Sequence, residues 1–120
     1  MTRKYSSAVD SYLAWSYRDE SDLAGVRSAI LASDEYSEAS DDYAVIDLLR
    51  RLMSKGYVYV VKWVEGECVG VEGSVSEVAS VVEKMIREGS AEPEGGGGIW
   101  LRLTPLGHSE SHRVVSGDAV

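Results

Sequence analysis

The sequence predicts an α+β domain, and three observations carry that prediction. Residues 43–55 (YAVIDLLRRLMSK) place apolar side chains at helical spacing and stop at Gly56, which leads directly into an apolar strand over residues 57–64 (YVYVVKWV). A second strand, far along the chain, lies within GIWLRLTPLG, residues 98–107. Between the two, Ser74-Val75-Ser76-Glu77 has the form of a capping box and opens another amphipathic segment.

Taken in order, the first helix is expected from about Ala8 to Tyr17, capped by Ser7, with Val9, Tyr12 and Leu13 on one face. Ser21 or Asp22 can cap a second helix whose inner side carries Leu23, Val26, Ile30 and Leu31. Residues 33–42 (SDEYSEASDD) lack periodicity and read as an acidic loop. Asp41 or Asp42 caps the third helix, with Val45, Leu48, Leu49 and Leu52 on one face and Asp47, Arg50, Arg51 and Ser54 on the other. Residues 57–64 are apolar on both alternations apart from Lys62, as expected of a strand paired centrally or covered on both sides. Glu65-Gly66 turns the chain into a short strand near residues 67–71. The capping-box helix keeps Val75, Val78, Ala79, Val82, Met85 and Ile86 in phase until Gly89. Residues 90–98 (SAEPEGGGG) read as a flexible connector, and residues 99–103 as a last strand ended by Pro105. Residues 1–107 are therefore expected to form one domain and residues 108–120 (HSESHRVVSGDAV) a flexible C-terminal tail. The expected core brings together Leu48, Leu49, Leu52, Val60, Val82 and Trp100.

With 120 residues, 44% hydrophobic and 27% charged, the chain has the composition of a folded globular domain and needs neither disulfide nor metal to hold it. The single cysteine, Cys68, has no internal partner for a disulfide and fits a reducing compartment. The opening MTRKYSSAVDSYLAW has two basic residues but no apolar run of the secretory kind, and YVYVV is far too short to span a membrane. A cytoplasmic location is expected. The net charge of −8, from 12 basic and 20 acidic residues, opposes nonspecific binding to polyphosphate while leaving room for a local basic face.

The order α-α-α-β-β-α-β, with LLRRLMSKGYVYV and IWLRLTPLG as its carriers, resembles the winged-helix domains of bacterial regulators. The resemblance covers roughly residues 8–107, with three N-terminal helices and a small antiparallel sheet. It implies that the third helix is a recognition helix, with Asp47, Arg50, Arg51 and Ser54 toward a DNA major groove. The chain departs from that pattern by a whole helix inserted between the wing strands and by the lack of a dimerisation helix after Gly107.

Candidate chemistry is sparse. His108 and His112 would present two imidazoles at i and i+4 on a helix, but the surrounding residues favour a solvated tail and supply no third ligand. Cys68 has no neighbouring base to activate it. Gly95 to Gly98 are followed by Ile-Trp-Leu rather than the Lys-Ser/Thr of a phosphate-binding loop. No catalytic, metal or cofactor residues are assigned, and an enzyme is not expected. Arg50, Arg51 and Lys55 can contact nucleic acid or form a solvated face in which Asp47 pairs with Arg51. The three tryptophans and seven tyrosines are expected mostly in the core of a chain without phenylalanine, although some can anchor an interface. The acidic loop, with Asp34, Glu35, Glu38, Asp41 and Asp42, is the candidate surface for a basic protein partner. The favoured function is protein binding, for instance immunity- or antitoxin-like inhibition, and the alternative is a DNA-binding transcriptional regulator.

Overall fold

A computed structural model of the chain describes residues 7–16, 20–33, 35–36, 41–64, 66–91 and 98–116. Its elements run α1 (Ala8–Trp15), β1 (Glu20–Asp22), α2 (Leu23–Leu31), α3 (Asp41–Ser54), β2 (Val58–Val64), β3 (Glu67–Gly70), α4 (Val75–Arg87), β4 (Ile99–Leu103) and α5 (Pro105–Ser116). The strands make one antiparallel sheet in the order β1-β4-β2-β3. The molecule is thus α+β, and no helix among the described residues is long and apolar enough to cross a membrane.

Local signals set the helix starts. Ser7 Oγ accepts the Asp10 N–H at the head of α1, and Asp22 Oδ1 accepts the Gly25 N–H at the head of α2. Ser74 and Glu77 exchange side-chain and backbone hydrogen bonds of 3.1 and 2.9 Å, so the capping box forms in full at α4. Gly56, at φ 75°, ends α3 in the left-handed conformation that glycine adopts without a Cβ clash. Gly66, at φ 82°, takes the same conformation just before β3, where Val64 faces Glu67.

The core lies between the helices and one face of the sheet. Leu48, Leu49, Leu52, Val60 and Val82 are all buried within it, with Ile99 and Leu101 from the strand that pairs with β2. Trp100 is not part of that group. It stands opposite Val61, on the sheet face turned away from Val60 and Leu101, and is only half-buried. Leu31 is likewise not on the inner side of α2 but 77% exposed, although Ala29 and Ile30 in the same turn are buried.

Two elements were not expected from the sequence. β1 follows α1 closely and pairs Ser21 with Leu101 and Asp22 with Trp100, making β4 a central strand. The segment expected as a frayed tail is α5, packed on α1; residues 117–120 lie outside the described residues. Pro105 does not simply end β4 but opens this helix, a position where its missing N–H costs nothing. Thr104 serves as the cap: its Oγ1 accepts the Gly107 N–H at 3.0 Å and donates to the Gly56 carbonyl at 2.5 Å. Further along, the buried Ser111 hydroxyl donates to the Leu13 carbonyl at 2.6 Å, and Val114 completes the contact.

Gly107 is what lets α5 approach the sheet. A Cβ placed there would lie 2.0 Å from the Tyr57 carbonyl oxygen and 3.2 Å from Leu103 Cδ2. Gly107→Ala is therefore expected to destabilise the fold by about 1–3 kcal/mol, a penalty typical of overpacking. Gly70→Ala, where the added methyl would meet nothing within 4 Å, should cost less than about 0.5 kcal/mol. Urea titrations of the two variants check the contrast, and equal midpoints would refute the close approach.

Candidate functional site

The two sets of residues singled out by charge meet each other. Glu35, from the loop between α2 and α3, makes a 3.0 Å ion pair with Arg51 and accepts the Ala8 N–H at 2.7 Å. Tyr36 donates to Asp47 at 2.5 Å and accepts from Arg51 at 3.1 Å. One cation thus ties the loop to α3, and Glu35 carries the tie on to the head of α1. Asp47 and Arg51 are bridged through the Tyr36 hydroxyl.

The electrostatics agree with that geometry. Partial burial acts against the Glu35 carboxylate, but the Arg51 guanidinium and the Ala8 amide outweigh it and hold the carboxyl below its ordinary value. Burial and the hydrogen bond to Asp47 push the Tyr36 phenol up to about 12. The Arg51 guanidinium is held above its usual range, chiefly by its hydrogen bond to Glu35.

Several of the charged candidates have partners within the chain. Of the acidic residues, Asp34 and Glu38 lie outside the described residues, as does the side chain of Asp41. Glu35 is engaged by Arg51, and Asp42 pairs with Arg27 at 3.4 Å. Of the basic residues, Arg51 faces the loop. Arg50 and Lys55 remain exposed, with Arg50 donating to Ser76 Oγ at 3.2 Å. The helix that carries them is enclosed on several sides: α1 and α2 pack on one flank, β2 on another, and α4 against a third.

An open groove of ≈ 530 Å³ runs between α3 and α4. Ile46 and Ile86 form its apolar part, Tyr43 stands at its edge with 75% of its surface exposed, and Arg50, Glu83 and Arg87 lie around it. On the far side of the molecule, the sheet face turned away from the core carries Tyr59, Val61 and Trp63 from β2, Trp100 and Arg102 from β4, and Cys68 from β3. Trp63 is 37% and Tyr59 46% exposed, and Trp15, on α1, is 60% exposed.

Aromatic placement is the feature that sequence reasoning missed. Among the described aromatics only Tyr12 is buried; the core is otherwise aliphatic. The clue was present in the alternation of β2, where Tyr59 and Trp63 share a parity opposite to Val58 and Val60. His108 and His112 both lie exposed on α5 at helical i,i+4 spacing, and no group of three or more potential metal ligands occurs among the described residues. Residues 92–97 of the glycine-rich connector lie outside the described residues, while its ends meet where the Ile99 N–H donates to the Ala91 carbonyl at 2.8 Å.

The Glu35 latch predicts a pH dependence. A carboxyl whose folded pKa is depressed stabilises the fold above its ordinary value of 4.5, and that stabilisation fades as pH falls through the lower folded value. The stability gap between the wild type and Glu35→Gln should therefore be constant above about pH 5.5 and narrow on acidification below pH 4.5. Urea titrations of both proteins across that range measure it, and a gap that widens in acid would refute the latch.

Comparison of the chain with protein-family models, with curated protein sequences and with solved structures gives no match in any of the three.

Proposed function

We propose that this chain is a non-enzymatic protein-binding module of winged-helix type, acting as an immunity- or antitoxin-like inhibitor of a basic partner in the cytoplasm. The observation that carries the reading is the outward placement of Trp15, Tyr43, Tyr59 and Trp63 on a molecule whose core is filled by aliphatic side chains. Large aromatic side chains supply much of the energy of protein interfaces, and leaving several of them in water has a use when a partner covers them. The net charge of −8 favours a basic partner by long-range steering rather than through the loop carboxylates, two of which are already paired. The winged-helix assignment is supported by a strand between the first two helices that pairs with the last strand, and by the β2–β3 hairpin that follows α3.

The rival reading, a DNA-binding regulator, keeps Arg50 and Lys55 as exposed cations on α3 but has Arg51 occupied by Glu35. Selection from a randomised duplex pool near physiological salt separates the two. The expected outcome is no enriched sequence. An enriched site bound at nanomolar Kd, weakening steeply with salt and lost in Arg50→Ala, would replace the protein-binding reading. On the protein side, Trp15→Ala, Tyr43→Ala and Trp63→Ala should each change stability by less than about 0.5 kcal/mol. At least one of them should weaken binding of a captured partner by about 2 kcal/mol, measured calorimetrically.

A further inference from the structure

We infer that the open edge of β3 is a docking strand for a short, extended, basic segment of a partner protein; this rests on the protein-binding reading and gives it a place and a chemistry. Among the described residues, the sheet order leaves β3 paired on one side only, with β2. The bond from the Val71 N–H to the Val60 carbonyl and the alternation of an antiparallel ladder fix which backbone groups face inward. Val69, opposite Lys62, and Glu67, opposite Val64, exchange hydrogen bonds with β2. Cys68 and Gly70, opposite Trp63 and Val61, turn their N–H and C=O groups away from β2 to the open side. The bond from the Trp63 N–H to the Gly98 carbonyl agrees, since it directs Trp63 toward the β4 side.

Such an edge is commonly blunted by lysine, proline or a covering loop. β3 contains neither residue type, and Glu67, Val69 and Gly70 are exposed along it. An added strand would find apolar surface on both sides of the sheet: Trp63 with Cys68 on one face, and Val69, 41% exposed, on the other.

Charge selects the occupant. Glu67 begins the strand and Glu72 lies just beyond its end, both exposed. A second copy of this chain is disfavoured. Antiparallel pairing of Cys68 with the Gly70 of another copy would set Glu67 opposite Val71 and Glu72 opposite Gly66, so each end of the ladder would gather a carboxylate from both copies, and these repel. A segment with Lys or Arg at its ends and β-branched residues between meets both carboxylates while extending the ladder, the geometry of strand addition.

The test uses two capped peptides of alternating valine and threonine, one flanked by arginines and the other by glutamates, titrated into the full chain while backbone amides are followed by NMR. The arginine-flanked peptide should perturb the Cys68 and Gly70 amides with a Kd of about 10⁻⁴ M, and its glutamate counterpart should bind at least about tenfold more weakly. Gly70→Pro removes an outward N–H that β2 does not use, so it should lower affinity about tenfold while leaving the melting midpoint unchanged. Glu67→Lys combined with Glu72→Lys should invert the peptide preference. Equal binding of both peptides, or no shift in β3 at millimolar peptide, would overturn the proposal. So would broadening of β3 amides with protein concentration alone, which would identify a second copy as the occupant. Shifts centred on Tyr43 and Ile86 would move the docking site to the α3–α4 groove and leave the protein-binding reading standing, whereas that reading falls only to the duplex selection.

Discussion

The enclosure of α3 is the constraint on which the rest of this structure depends. Val45, Leu48, Leu49 and Leu52 are fully buried, and Ala44 and Ile46 nearly so, which leaves this helix apolar contacts over far more than one stripe. Each neighbouring layer takes its position from it: α1 and α2 on one flank, the sheet on another, α4 along a third, and the Glu35–Tyr36 loop pinned by Arg51. A helix that reads a nucleic-acid groove has to present a protruding face. Here Glu35, Tyr36 and α4 pack against α3, while Arg50 and Lys55 stay exposed on it.

With α3 so enclosed, the exposed aromatic side chains lie on other surfaces and at its edge. A core built without phenylalanine packs leucine, isoleucine, valine and alanine around Tyr12, the one buried aromatic among the described residues, whose hydroxyl meets Ser21 at 2.7 Å. The larger rings sit instead at the α3–α4 groove, on the outer sheet face and on α1. Outward aromatics on rigid elements lose little side-chain entropy when covered, which suits them to recognition.

Much of this was legible where a local rule decides the outcome. Ser7, Asp22, Ser74 with Glu77, and Gly56 did what their residue types do at helix ends, and the helical periodicity of residues 45–52 correctly named the buried face. What the sequence concealed was decided by distant contact. β1 is three residues long, too short to show alternation, and exists because β4 offers it an edge. α5 carries little apolar periodicity of its own and is held by Ser111, Val114 and the Gly107 approach. Thr104-Pro105 can be read as the end of a strand or as the cap and first residue of a helix, and only the packing partner chooses between them. The pairing of two charged candidates was hidden for a related reason: Glu35 and Arg51 are 16 positions apart in sequence and meet only in space.

The central position of β4 has a consequence for how the chain acquires its structure. Strand β4 joins β1, near one end of the described chain, to β2, in its middle, and itself lies near the other end. Until it arrives, β1 has no partner at all, and the β2–β3 hairpin has an unsatisfied edge on the side that will become the middle of the sheet. Pairings of such long sequence separation carry a large loop-closure cost and make folding slow relative to helical domains of similar size. During synthesis from the N-terminus, the helices and the hairpin must therefore wait, with Leu101's future site open to water, until residues 99–103 emerge. The same arrangement makes the sheet all-or-none: a chain interrupted before residue 99 keeps a hairpin and its helices but no frame to hold them.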